Sequence, residues 1–208
     1  MDNCIDALDE FFCAQYSDYV RISAIEGYAM PDVVYVGSDG NVHRRDSSCM
    51  RLAHQAEKEK ILAELKSTLA DTDFAFNFSF VPVFHRFRAR FGQNSFARLL
   101  PKVLSHVGET VESAGEKLDI EKKFWQMIAK GRVYPSKNLV LALALTSRLQ
   151  TEDVNLLLST LEFRLEDDNV RDVVVQFLLS QKIFNDEMRN ACLKEYKIEN
   201  LPIKRARE

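Results

Sequence analysis

The apolar positions of this chain recur mostly at intervals of three and four residues, which predicts helices along most of its length. This spacing predicts an N-terminal helix over residues 5–20 and a second amphipathic helix over residues 50–69. Between them a β-branched run over residues 33–36 precedes a Gly-Ser-Asp-Gly-Asn turn and a return over residues 42–44. That succession predicts a small β-hairpin.

The period of the apolar residues changes between residues 74 and 92, from that of a strand to that of a helix. Phenylalanines alternate with small or polar residues over residues 74–80, as in a half-buried strand. Past Pro82 the spacing becomes helical, and Gly92 is expected to end that helix. Aromatic residues at this spacing usually pack inside a protein, so we expect one stripe of the helix to lie in the core. Its members are Val81, Phe84, Phe87 and Phe91. His85, Arg86 and Arg90 lie off the stripe, as a binding surface or a solvated one.

Residues 109–150 have the spacing of two short crossed helices followed by a third. Thr110 is a suitable N-cap for the first helix, and the small pair Ala114-Gly115 would let a second helix cross closely. The chain is expected to turn at Asp119, and a second helix then turns Trp125 inward and stops at Gly131. A third helix over residues 137–149 is apolar around most of its circumference and is therefore expected in the interior. The segment predicts a helix-turn-helix.

Further helices are predicted on both sides of this segment. One covers residues 95–107 and contains Pro101, so we expect either a kink there or a helix that starts only at Pro101. Three more follow from residue 151 to residue 196. The predicted fold is mainly α: an acidic α+β domain over residues 1–92, an all-α helix-turn-helix domain with extra C-terminal helices over residues 93–200, and a basic tail over residues 201–208.

Charge is distributed unevenly, although the formal net charge is only −3. Before residue 74 acidic residues outnumber basic ones about two to one, and residues 74–108 contain no Asp or Glu. The basic residues of that second stretch are Arg86, Arg88, Arg90, Arg98 and Lys102. Such a stretch produces a local positive field that favours anionic partners.

Residues 95–162 resemble the lambda-repressor-like, or Cro/C1-type, helix-turn-helix domain. The resemblance rests on the small residues at positions 114 and 115, the Tyr-Pro-Ser-Lys helix start at residues 134–137, and the Leu-Ala-Leu-Ala-Leu run at residues 141–145. The sequence departs from the family at Asp119, where glycine is common, and at Trp125, where a branched aliphatic residue is common. The resemblance implies a DNA-binding regulatory protein whose second motif helix lies in the major groove.

By this resemblance Lys122, Lys123 and Gln126 face the base edges of the groove. Three further cations are implied to contact the phosphate backbone: Lys130, Arg132 and Lys137. A homodimer is a further expectation, because operators of this family are symmetric. The alternative is an interaction module that reuses the scaffold without DNA, with Phe124 and Met127 exposed to a protein partner.

Catalysis, cofactors and metals are not expected. The sequence has no Gly-rich phosphate loop, GxSxG or HExxH motif, so we predict that the protein is not an enzyme. A zinc site drawn from Cys13, His43, Cys49 and His54 lacks the tight ligand pairs of structural zinc, and we expect none. With neither a signal peptide nor an apolar run long enough for a membrane span, the prediction is a cytoplasmic protein with reduced cysteines and no membrane partner.

Overall fold

The computed structural model describes residues 2–17, 19, 33–36, 42–45, 59–69, 78–92 and 95–198, and these are mainly helical. The helices are α1 (Asp2–Gln15), α2 (residues 59–68), α3 (Arg86–Phe91), α4 (Phe96–His106), α5 (Val111–Lys117), α6 (Lys122–Ala129), α7 (Lys137–Thr146), α8 (Thr151–Ser159), α9 (Val170–Ser180) and α10 (Asp186–Glu195). A 3-10 turn, Val83–His85, precedes α3. The strands are β1 (Val33–Val36), β2 (Val42–Arg45), β3 (Ser79–Phe80) and β4 (Val133–Tyr134).

The strands form two short antiparallel pairs. The predicted hairpin is confirmed, with Val33 opposite Arg45 in the β1–β2 pair, while its turn at residues 37–41 lies outside the described residues. In the second pair β3 lies beside β4, and the Val81 N–H donates to the Arg132 carbonyl at 2.9 Å. The described residues are thus mainly helical, as predicted, and the part predicted as an all-α domain contains one two-residue strand, β4. Gly131, with a φ of 65°, ends the helical path after α6 and leaves the next residues extended for pairing with β3.

The core is organised around α7. Every residue from 139 to 145 is buried, which confirms the predicted interior helix. Helices α6, α8 and α9 contribute further buried side chains to the same cluster. The Ser136 hydroxyl accepts the Leu139 N–H at 3.3 Å and so caps the start of α7, as Thr110 caps α5 in a reciprocal capping box with Ser113.

The N-terminal helix joins this core. Leu8 and Phe12 are fully buried, and α1 packs against α9 and α10. The Lys66 ammonium of α2 lies 2.7 Å from Asp9 of α1 and 2.8 Å from Glu195 of α10, which connects three helices through one cation. A single hydrophobic cluster thus contains side chains from both sides of residue 92, while the division into two domains at that residue stays a prediction.

Helix α4 passes through Pro101 without interruption, so the predicted later start is wrong. An amide at position 101 would bond to the Ala97 carbonyl, and the proline ring removes that one bond. The proline is exposed to solvent, and five side chains on the other face of α4 are buried: Phe96, Ala97, Leu100, Val103 and Leu104. Burial of this apolar face stabilises the helix across the missing hydrogen bond.

The phenylalanines after Pro82 do not lie in the core, contrary to the sequence-based expectation. The exposed fractions of Phe84, Phe87 and Phe91 are 96%, 76% and 53%, and Val81 alone of the predicted stripe is buried. Helix α3 packs against α4, and the Ala89 backbone lies close to Gly131. Ala89 is two residues from both Phe87 and Phe91 and is thus on the opposite side of the helix from them. We call the exposed set the aromatic ridge: Phe80, Val83, Phe84, Phe87 and Phe91.

Candidate nucleic-acid interface

Helices α5 and α6 cross at close range around Trp125, which is the only tryptophan of the chain. The indole is 3% exposed, and its Nε1 donates to the Val111 carbonyl at 2.5 Å. A Cβ added to Gly115 would lie 2.7 Å from that same Nε1, so the crossing leaves no space for a side chain on α5. Gly115, one of the two small residues predicted to allow a close crossing, therefore leaves the space that the Trp125 indole occupies.

The turn between the two helices is centred on Asp119. Its φ is 52°, the left-handed conformation that glycine would adopt most freely and that Asp tolerates. Ile120 follows half-buried, and its N–H donates to the Gly115 carbonyl at 3.3 Å. The turn expected at residue 119 is confirmed, and it directs α6 back across α5.

The outer side of α6 is polar. Trp125 and Ile128 are buried, while the side chains that point away from them are exposed. Five of the six residues predicted to contact DNA lie on this outer side or directly after it, and all five are exposed: Lys122, Lys123, Gln126, Lys130 and Arg132. The structure thus brings four cations and one amide together along a single helix and the residues after it.

Lys137 differs from the other five, because its ammonium is already paired with carboxylates. It lies 2.5 Å from Asp172 Oδ2 and 3.1 Å from Glu166 Oε2, and its side chain is only 19% exposed. Burial raises the pKa of the Asp172 carboxyl, and the neighbouring Lys137 ammonium opposes that rise. The geometry gives Lys137 a structural role between α7 and α9, and we leave it out of the proposed interface.

Phe124 and Met127 are not the exposed pair that a protein-contact surface on α6 requires. Both are half-buried and pack against the core. The Phe124 ring meets the Phe78 ring edge-on, with centroids 4.7 Å apart. Phe78, which lies two residues before the first member of the aromatic ridge, covers this side of α6. The spacing of the sequence did not indicate that contact.

Helix α3 lies beside the end of α6 and adds cations that the resemblance did not include. A Cβ added to Gly131 would lie 2.8 Å from the Ala89 carbonyl oxygen, which shows how closely the two backbones approach. Arg86, Arg88 and Arg90 on α3 are exposed. The acid-free stretch over residues 74–108 was the sequence signal for this basic segment, but it did not reveal that the segment lies next to α6.

The described residues contain no group of three or more His, Cys, Asp or Glu side chains arranged to hold a metal ion. Of the four residues weighed as zinc ligands, Cys49 and His54 lie outside the described residues, as does the side chain of His43. Within the described part of the chain no helix is long and apolar enough to span a membrane.

Comparison with known proteins gives no assignment: no protein-family model matches the chain, and no similar protein is found among curated proteins or solved structures. The resemblance to the lambda-repressor-like domain therefore stays a prediction, which rests on the residues themselves.

Proposed function

We propose that this protein is a DNA-binding regulatory protein that contacts duplex DNA through α5 and α6. The observation that supports the proposal is the two-sided character of α6. Its buried side, with Trp125 and Ile128, fixes the helix on α5, and its outer side presents Lys122, Lys123 and Gln126 to solvent. A helix held in this way can enter a major groove without losing contact with its own core.

The chemistry of the outer side suits a duplex. A glutamine amide matches the N6 and N7 edge of adenine, and lysine ammonium groups match guanine or phosphate oxygens. Lys130 and Arg132, at the end of α6 and directly after it, are placed to neutralise phosphates at the edge of the groove. The chain as a whole is slightly acidic, so affinity for DNA has to come from this local surface.

The proposal is tested by fluorescence anisotropy with a labelled mixed-sequence duplex over a series of salt concentrations. Lys122→Ala with Lys123→Ala is expected to lower affinity about tenfold and to reduce the slope of log K against log salt by roughly two, because two fewer counterions are released. The matched control is Lys60→Ala with Lys194→Ala, which removes two exposed lysines from α2 and α10. The control is expected to bind like the wild type.

Three results would contradict the proposal. The first is a wild-type protein that binds no duplex even at low salt. The second is an equal loss of affinity in the two double variants, and the third is an unchanged slope of log K against log salt in Lys122→Ala with Lys123→Ala. Gln126→Ala is expected to relax the sequence preference of binding while leaving its salt dependence nearly unchanged, because it removes a base contact and no charge.

The alternative of a protein-interaction module centred on Phe124 and Met127 has less support, because both side chains pack against the core. Exposed aromatic surface lies instead on α3, where it is accompanied by arginines.

A further inference from the structure

The aromatic ridge is an exposed apolar patch as large as the largest patches on typical soluble monomers. Its five large side chains are each between 53% and 96% exposed. An aromatic side chain has about 150–250 Å² to bury, so the ridge presents on the order of 600 Å². That equals the upper end of the range for the largest patch on a typical monomer, about 300–600 Å², and patches of this size often mark a functional surface.

The charges beside the ridge select an anionic partner. Arg86 and Arg90 are one helical turn apart and flank the ridge on one side, and Arg88 flanks it on the other. The Arg90 guanidinium lies 4.9 Å from the centroid of the Phe91 ring, so cation and ring share one surface. No Asp or Glu occurs in residues 74–108. Glu162 lines the same cavity as Arg88, on the side of α3 away from Arg86 and Arg90. A second copy docked ridge to ridge would bring two sets of arginines together, which disfavours self-association through this surface.

The ridge is held beside the cations of α6. The β3–β4 pair and the hydrogen bond from Val81 to Arg132 fix the start of the segment, and the close approach of Gly131 to Ala89 fixes α3. Arg132 is thus part of the connection between the ridge and the end of α6. A polymer of phosphates is an anion long enough to contact both elements.

We infer that the aromatic ridge inserts as an apolar wedge into the minor groove of the duplex that α6 contacts, with the arginines of α3 on the flanking phosphates. This inference rests on the proposed function. Minor-groove proteins place Phe, Leu or Ile side chains between base steps and kink the duplex, and cations beside the wedge hold the bent backbone. Phe84 and Phe87, the two most exposed aromatic side chains, form the wedge.

The test uses two end-labelled duplexes of about 30 base pairs, identical except for two adjacent central mismatches, and measures both affinity and end-to-end energy transfer. Mismatched steps cost less to unstack, so the wild type is expected to bind the mismatched duplex about tenfold more tightly and to bring the ends of both duplexes closer together. Phe84→Ala with Phe87→Ala is expected to lose the preference and the bend while keeping the salt slope of the wild type. Phe84→Ala alone, which changes only the most exposed side chain of the ridge, is expected to weaken both the preference and the bend.

The matched control is Leu156→Ala with Met188→Ala, which removes two partly exposed apolar side chains from α8 and α10 and is expected to bind and bend DNA like the wild type. A wild type that binds both duplexes equally, or Phe variants that still bend DNA, would overturn the inference and leave the proposed function standing. A wild type that binds no duplex would overturn both. Binding of phosphatidylglycerol vesicles or polyglutamate that is lost in the Phe variants, with DNA binding unchanged, would assign the ridge to a membrane or an acidic protein and overturn the inference.

Discussion

Lys137 and Lys122 have the same side chain, yet the residues around them give them different roles. The Lys137 ammonium lies between Asp172 and Glu166, and the Asp172 side chain is 2% exposed. Lys122 begins α6 on its solvent side. A buried carboxylate depends on its partner because few waters reach it, whereas an exposed ammonium remains hydrated and available.

Lys137→Met is expected to lower the free energy of unfolding by about 3 kcal/mol at neutral pH, because Asp172 is left buried without its cation. Burial already raises the pKa of the Asp172 carboxyl, and loss of the Lys137 ammonium raises that pKa further. A carboxyl whose folded pKa exceeds its unfolded value favours folding at low pH, and this contribution is lost as the pH rises through the folded pKa. The destabilisation of the variant should therefore shrink as the pH falls and the carboxyl becomes protonated.

Urea unfolding of Lys137→Met and of Lys137→Met with Asp172→Asn at pH 7 and pH 5 checks this expectation. The double variant removes both charges and should recover part of the lost stability. Equal losses in both variants at both pH values would show that the ion pair is not what stabilises the α7–α9 contact.

The α5–α6 pair is an element-scale feature that depends on a size match. Trp125 fills the space that Gly115 leaves open, and the indole N–H reaches the Val111 carbonyl at the start of α5. The sequence predicted both helices, the turn at Asp119 and the inward tryptophan, because each follows from local spacing. It did not predict that Phe78 covers Phe124, since that contact joins residues far apart along the chain.

Gly115→Ala is expected to lower the free energy of unfolding by about 2 kcal/mol, because the added methyl group overlaps the Trp125 ring and forces the helices apart. The shift should also change the fluorescence of Trp125 in the folded protein. Thermal unfolding followed by fluorescence measures both effects. The control is Glu116→Ala, at an exposed neighbouring position on the same helix. A Gly115→Ala variant with the same melting temperature as this control would refute the tight crossing.

At the scale of the whole molecule, the N-terminal and C-terminal helices share a core. Leu8 and Phe12 of α1 are buried in the cluster that also contains the side chains of α7 and α9. Lys66 and Tyr196 both bond to Asp9, so the polar edge of this contact is satisfied as well. We therefore expect α1 to unfold together with the helices of the proposed DNA-binding unit.

Leu8→Ala is expected to destabilise the protein by about 3 kcal/mol through the cavity that it leaves. Because Trp125 is the only tryptophan and lies on α6, its fluorescence reports on a distant part of the same core. Denaturation midpoints from tryptophan fluorescence and from far-UV circular dichroism should fall together, and Glu10→Ala on the exposed side of α1 should change neither. A fluorescence midpoint that stays at the wild-type value would show that α1 belongs to a separate folding unit.

The sequence by itself determined the helices, the β1–β2 hairpin, the caps at Thr110 and Ser136 and the inward side of α6, because capping and helical spacing act over a few residues. Tertiary structure alone decided that Lys137 is paired with carboxylates, that Phe124 is covered and that α3 turns its phenylalanines to solvent. A helical stripe shows which residues share a face, but whether that face is buried depends on the elements that pack against it. In α3 the packed side is the one that carries Ala89, because Gly131 has no side chain and the α3 backbone can lie close to it.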